Sequence, residues 1–110
     1  MIRKSEMRLR LFLVPMVVAF AAGAHANELE RGQAILQENC GRCHATGAEG
    51  ESPLALAPPF RTLGERYPVA DLEEALAEGI VTGHPAMPEF SFEPDEIGAI
   101  VAYLESLQPK

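Results

Sequence analysis

Cys40-Gly41-Arg42-Cys43-His44 is the stretch of this chain best equipped for chemistry. Two thiols three positions apart share one helical turn, so each can form a thioether to one of the two vinyl groups of a haem. The histidine that follows then lies under the macrocycle with its imidazole aimed at the iron. The motif therefore predicts one covalently attached haem c, with Cys40 and Cys43 as attachment points and His44 as the first axial ligand. Two rival chemistries use the same residues. A redox-active disulfide of the C-x-x-C kind needs a strand leading into the motif within a βαβ pattern, and no such pattern occurs here. A zinc site could draw on Cys40, Cys43, His44 and His84, but the adjacent Cys43 and His44 would have to share one tetrahedral ion, which the usual spacings avoid.

A haem iron with one histidine needs a second ligand or keeps an open sixth position. Methionine and histidine are the usual candidates. Beyond the first 26 residues the chain has a single methionine, Met87, in the loop His84-Pro85-Ala86-Met87-Pro88. Prolines on both sides restrict the backbone, and a stiff loop can keep a weak thioether ligand in place through changes of redox state. Met87 is thus the expected second ligand, although a lone methionine can also be core filler. His84 is the competitor. It could reach the iron if the loop turned over, or simply face water.

Residues 1–26 read as a secretory signal peptide. Arg3, Lys4, Arg8 and Arg10 form a basic start, residues 11–22 are an apolar run broken only by Pro15, and Ala24-His25-Ala26 is a small-x-small cleavage site. The run is short of the ~20 residues that span a bilayer. The expected mature domain is 27–110 and its expected location the periplasm, with no stable membrane insertion. The leader holds four of the nine basic residues and one of the sixteen acids, so its removal leaves 5 and 15 and takes the net charge from −7 to −10. Such acidity argues against nucleic acid or anionic lipid as a partner and suits soluble partners with a basic docking patch. A domain this small is marginal on its own core, and a covalent haem would give it a large apolar body to wrap.

Three helices and two loops must position these residues. Leu29, Gly32, Leu36 and Cys40 mark a helical stripe over residues 28–40, with Glu28 and Glu30 at its N-terminal end. Gly47, Gly50, Pro53, Pro58 and Pro59 make residues 46–59 a loop, with a short helical turn at 60–65. Leu72, Ala75, Leu76 and Ile80 predict a second helix over 69–78, stopped by Gly79. Residues 81–92 form the second loop. Pro94 and Glu96 open the last helix, whose stripe is Ile97, Ile100, Val101, Leu104 and Leu107, and residues 108–110 are expected to fray.

In this order the pieces resemble the small class I bacterial cytochromes c, of the short monohaem kind. A glycine, Gly32, precedes the first haem cysteine by eight residues, and the apolar Leu36 by four. The C-x-x-C-H is followed by Ala57-Pro58-Pro59-Phe60, by the Met87-Pro88 loop and by Ile100-Val101-Ala102-Tyr103-Leu104. The resemblance implies an all-α cytochrome c-like fold with three main helices and short turns around one covalent haem. It implies that Gly32 lets the first and last helices cross closely with Tyr103 over it. It also implies that Pro58, or Pro59 if the register differs by one, offers its carbonyl to Nδ1–H of His44. Phe60, Leu63, Tyr67, Leu72, Leu76, Ile97 and Ile100 become candidates for the haem pocket wall. The chain departs from better-known members in having no tryptophan. Arg61 is then the best-placed basic residue to meet a haem propionate, ahead of Arg66 and Tyr67. Lys110 is the sole lysine beyond the leader, so the lysine ring of mitochondrial relatives is absent.

The expected function is reversible one-electron transfer by the haem iron, in a carrier rather than an enzyme. Its expected partners are redox proteins: a dehydrogenase or cytochrome complex as donor, an oxidase or reductase as acceptor. They meet the carrier in transient complexes. Two alternatives remain: a haem subunit that accepts electrons within a dehydrogenase or oxidase complex, and an open-site sensor or peroxidase-like protein if Met87 does not ligate the iron.

Overall fold

The computed structural model describes Phe12, residues 18–80 and residues 86–110. The fold is all-α, without a strand among the described residues. Helix α1 runs Val18–Cys40, α2 runs Leu72–Glu78 and α3 runs Pro94–Leu107. Short 3₁₀ turns at Phe60–Glu65 and Val69–Asp71 connect them.

Helices α1 and α3, from the two ends of the sequence, cross at Gly32. A Cβ there would overlap the carbonyl oxygen of Ala99 and come within 2.9 Å of Tyr103 Cβ. Only a glycine allows the two backbones this close. The crossing buries Leu36 of α1 against Ile97, Ile100 and Leu104 of α3, and Ile100 is fully buried. Removing one such side chain from water contributes about 1.5–3 kcal/mol. Phe60 and Leu63 from the first 3₁₀ turn, Val69 from the second, and Leu72 and Leu76 from α2 complete the core. An Arg31–Asp95 ion pair of 2.8 Å ties α1 to the start of α3 on the outside.

The end of α3 and the start of α1 differ from the sequence expectations. α3 opens on Pro94 as expected, and the Glu96 carboxylate also accepts the N–H of Glu93 at 3.2 Å. Residue 108 does not fray. The Gln108 carboxamide donates to the carbonyls of Leu104 (2.8 Å) and Phe60 (2.9 Å) and accepts the N–H of Gly64 (2.8 Å). α1 begins at Val18 rather than near Glu28. The alanine-rich residues 19–26 favour helix and offer no strong breaker, so the helix extends outward. The acids Glu28 and Glu30 consequently lie well inside it rather than in its first turn. The expected helix over 69–78 is split into the Val69–Asp71 turn and α2, and Gly79 ends it with φ of 105°. Among the described residues, no helix is long and apolar enough to cross a membrane.

Candidate functional site

The C-x-x-C-H segment is wound off the end of α1. The N–H groups of Cys43 and His44 both donate to the Cys40 carbonyl, at 3.1 and 2.9 Å, so both thiols and the imidazole belong to one turn. Cys40 and Cys43 are free thiols, each half-buried. Burial first, and then the neighbouring Cys43, push the Cys40 thiol up to about 11, so it is protonated at neutral pH. A protonated thiol is the form that adds across a vinyl group without any change in electron count.

His44 is oriented from one side. Its Nδ1 lies 2.8 Å from the Pro58 carbonyl. A carbonyl can only accept, so the proton sits on Nδ1 and Nε2 keeps the lone pair that a metal requires. Of the two adjacent prolines, Pro59 is engaged elsewhere: its carbonyl accepts the N–H of Thr62 at 3.0 Å and the Thr62 hydroxyl at 2.8 Å. The Phe60 ring stacks on the imidazole, with centroids 4.7 Å apart and planes 26° from parallel.

The segment leaving His44 is tied at every step. Ala45 N–H donates to Ser52 Oγ at 3.0 Å, and the Ala45 carbonyl accepts from Phe60 N–H at 3.0 Å. Leu54 N–H donates to the Cys43 carbonyl at 3.0 Å. Thr46 is buried, with its hydroxyl bonded to Gln37 of α1 and its carbonyl bonded to the Tyr103 hydroxyl of α3. Ser52, Thr46, Gln37 and Gln108 were not among the sequence candidates. A lone polar residue in a loop or past a helix end carries no periodic signal of the partner it will find.

Met87 is half-buried in a segment whose ends are fastened. Ile80 N–H donates to the Phe90 carbonyl at 2.9 Å, and Phe92 N–H to the Leu76 carbonyl at 3.0 Å, closing the loop at its base against α2. Gly79 starts the loop with a positive φ and lies against Glu89, whose Oε1 would be 2.7 Å from a Cβ there. The competitor His84, with Pro85, lies outside the described residues.

Arg61 follows the stacked Phe60 directly. Its Nη1 is buried and has no hydrogen-bond partner among the described residues. A buried guanidinium nitrogen without a partner is costly, and an anion beside it would remove that cost. Arg61 lines a groove of about 340 Å³ with Glu51, Ser52, Ala55, Ala57 and Pro59. Of the expected pocket-wall residues, Phe60, Leu63, Leu72, Leu76, Ile97 and Ile100 are buried together, whereas Tyr67 is exposed.

These groups fit a covalently held haem. They provide paired thiols on one turn, an imidazole with Nε2 available, an apolar wall and a cation in want of an anion. Among the described residues, no three His, Cys, Asp or Glu side chains gather as an alternative metal site.

Comparison with known proteins agrees with this chemistry. Residues 27–104 match the family described as cytochrome c oxidase, cbb3-type, subunit III. Cytochrome c-552 of Bradyrhizobium diazoefficiens is 30% identical over 97 residues, covering 88% of this chain and 91% of that protein. Cytochrome c6 of Picosynechococcus sp. is 29% identical over 107 residues, covering 92% of each. A cytochrome c-553-like protein of Synechocystis sp. is 29% identical over 80 residues, covering 73% of this chain and 70% of that protein. No solved structure gives a significant match.

Proposed function

The chain belongs to the c-type cytochromes, as a small class I member that carries haem c and moves electrons rather than catalysing a reaction, and on that premise we propose that it is a periplasmic, His/Met-ligated monohaem carrier. The observation that carries the reading is the His44–Pro58 hydrogen bond at the end of α1, which commits Nδ1 and leaves Nε2 for iron.

Bound haem c supplies a one-electron ferrous/ferric couple. The chain's own residues do the rest. Cys40 and Cys43 would hold the macrocycle, and His44 would supply its first ligand to the iron through Nε2. The Pro58 carbonyl fixes the tautomer of His44 and orients its ring. Met87 is the second ligand, carried on the loop closed by Ile80–Phe90 and Phe92–Leu76. Met/His ligation raises the reduction potential, and an apolar wall favours the less charged ferrous site. Phe60 lies against the imidazole, and Arg61 would offer its buried Nη1 to a propionate.

Export is supported by the basic start, the short apolar run and the small-x-small site at 24–26. Residues 23–28 are all exposed, and among the described side chains of α1 packing begins at Leu29. The mature charge of −10 suits donors and acceptors that present basic docking faces in brief encounters. A second reading is favoured by the matched family's description, which names an oxidase subunit. On that reading the same domain serves as the haem subunit of an oxidase or dehydrogenase complex.

The absorption spectrum of the ferric protein tests the ligand set. A weak near-infrared thioether-to-iron band in the wild type, lost in Met87→Ala with haem still attached and the potential lowered, is the expected result. A band untouched by the substitution would transfer the role away from Met87. A high-spin wild type that binds cyanide or carbon monoxide readily would favour an open-site haem protein. Co-purification in stoichiometric amounts with a larger oxidase would favour the subunit reading.

A further inference from the structure

Gln108 is the residue expected to fray, and it is instead one of the best-bonded side chains in the fold. Its carboxamide uses both ends. Nε2 donates to the Leu104 carbonyl in the last turn of α3 and to the Phe60 carbonyl at the start of the 3₁₀ turn, at 2.8 and 2.9 Å. Oε1 accepts the N–H of Gly64 at 2.8 Å, in the same 3₁₀ turn. The approach depends on Gly64 having no side chain, because a Cβ there would lie 2.8 Å from Oε1.

Phe60 is what this bridge holds. Its N–H is bonded to the Ala45 carbonyl, next to His44, and its ring stacks on the imidazole with centroids 4.7 Å apart. The Phe60 backbone is therefore fixed from two sides: by Ala45 through its N–H and by Gln108 through its C=O. The hydrogen bond from Nδ1 of His44 to Pro58 fixes one point on the ring and leaves rotation about that axis free. The flat face of Phe60 limits that rotation.

We propose that Gln108 is a positioning residue for the His44 imidazole, acting through Phe60 to set the plane of the ring at the iron. The C-terminal turn of α3 thereby tunes the metal from the far end of the chain. This rests on the reading of His44 as the axial ligand. Since ring orientation determines how the imidazole orbitals meet those of the iron, the effect belongs in the electronic structure of the ferric haem and in its potential.

The test uses the full haem-loaded protein. Its readouts are the hyperfine-shifted proton signals of the haem methyls and the His44 ring, the midpoint potential and the melting temperature. Gln108→Ala removes the bridge. Gln108→Glu keeps an acceptor for Gly64 N–H but has no N–H to give Phe60. Gly64→Ala displaces the carboxamide without deleting it. Leu107→Ala is the control, since Leu107 packs against the same core and contributes none of the hydrogen bonds of the bridge. The expected result is an altered methyl pattern and a shifted potential in both Gln108 variants. Gly64→Ala moves them in the same direction, and Leu107→Ala loses melting temperature with the wild-type pattern. If Gln108→Ala and Gln108→Glu lower only the melting temperature and keep the wild-type pattern and potential, Gln108 is a structural clamp and the inference falls. A wild type lacking hyperfine-shifted His44 ring signals would overturn the ligand reading itself, which separates the two failures. If Gln108→Ala does not accumulate, Gln108→Glu and Gly64→Ala decide the question on the same signals.

Discussion

Tyr103 donates its hydroxyl to the carbonyl of Thr46 at 2.6 Å, joining the middle of α3 to the chain two residues past His44. The Thr46 hydroxyl reaches Gln37 of α1 in turn, so both long helices hold the exit of the C-x-x-C-H turn. Tyr103 also presents its Cβ to Gly32 at the helix crossing. One side chain thus closes the α1–α3 contact and fixes the peptide that leaves the haem motif. Burial pushes the phenol up from its ordinary value, so it remains a donor at neutral pH.

Tyr103→Phe keeps the ring and deletes only that donor. It strands a buried carbonyl, which costs about 1–3 kcal/mol. Urea unfolding should show a lower midpoint with an unchanged slope. The visible spectrum should stay that of the wild type, because the axial ligands are untouched. An unaltered midpoint would mean that water replaces the hydroxyl and that the bond contributes nothing.

Two glycines on facing helices should respond in opposite directions. Gly32→Ala forces a methyl into the Ala99 carbonyl and must spread α1 from α3, for a loss of about 1–3 kcal/mol or more. At Gly98 the nearest atom to a new Cβ is Glu28 Oε1 at 3.8 Å, an ordinary contact. Gly98→Ala should therefore gain about 0.5–1 kcal/mol from helix propensity alone. Thermal melts of the two variants check the contrast. A stable Gly32→Ala would contradict the crossing.

Arg61→Gln should lower the reduction potential. A positive charge near the macrocycle disfavours the extra charge of ferric iron, and its removal reverses that. Spectroelectrochemical titration at two ionic strengths measures the change, and salt should shrink it little, because Nη1 is buried. An unchanged potential would place the guanidinium away from the haem.

The Arg31–Asp95 pair gives a pH signature. The hydrogen bond from Arg31, followed by its charge, holds the Asp95 carboxyl below its usual range. A depressed folded value means that the pair's contribution is fully present above the unfolded carboxylate value. It is lost as pH falls through the folded one. Both side chains are largely exposed, so the contribution is small and falls with salt. Asp95→Asn should melt slightly below the wild type at neutral pH and low salt, and the two curves should converge in acid. A gap that widens in acid would contradict this account.

The helices with a stripe and a stop were readable from residues. Pro94 with Glu96 opens α3 where expected, and Gly79 ends α2 because a positive φ suits it. The start of α1 was not readable. Residues 19–26 are alanine-rich with Gly23 alone to weaken them, and one interior glycine does not stop a helix. The choice between Pro58 and Pro59 was open because the sequence presents two adjacent carbonyls. Three-dimensional bonding separates them, since Thr62 occupies Pro59 and Phe60 is tied to Ala45. Cys40, Cys43, His44 and Met87 were candidates because each residue type is scarce and, for the C-x-x-C-H, because the spacing has a mechanical meaning. The structure adds the shared turn of the first three and the Nδ1 partner of His44. The roles of Ser52, Thr46 and Gln108 depend on partners distant in sequence, and no local pattern announces them.

The crossing of α1 and α3 joins residues from opposite ends of the chain. A polypeptide synthesised from its N-terminus cannot complete that contact until its last helix has emerged. Leu36 has no Ile100 to cover it before then, and Thr46 has no Tyr103. The turn bearing Cys40 and Cys43 is finished early, while the core that will enclose it waits for residues 94–107. The order of emergence thus leaves an interval in which both thiols are presented on a chain that cannot yet shut, and the final helix ends that interval.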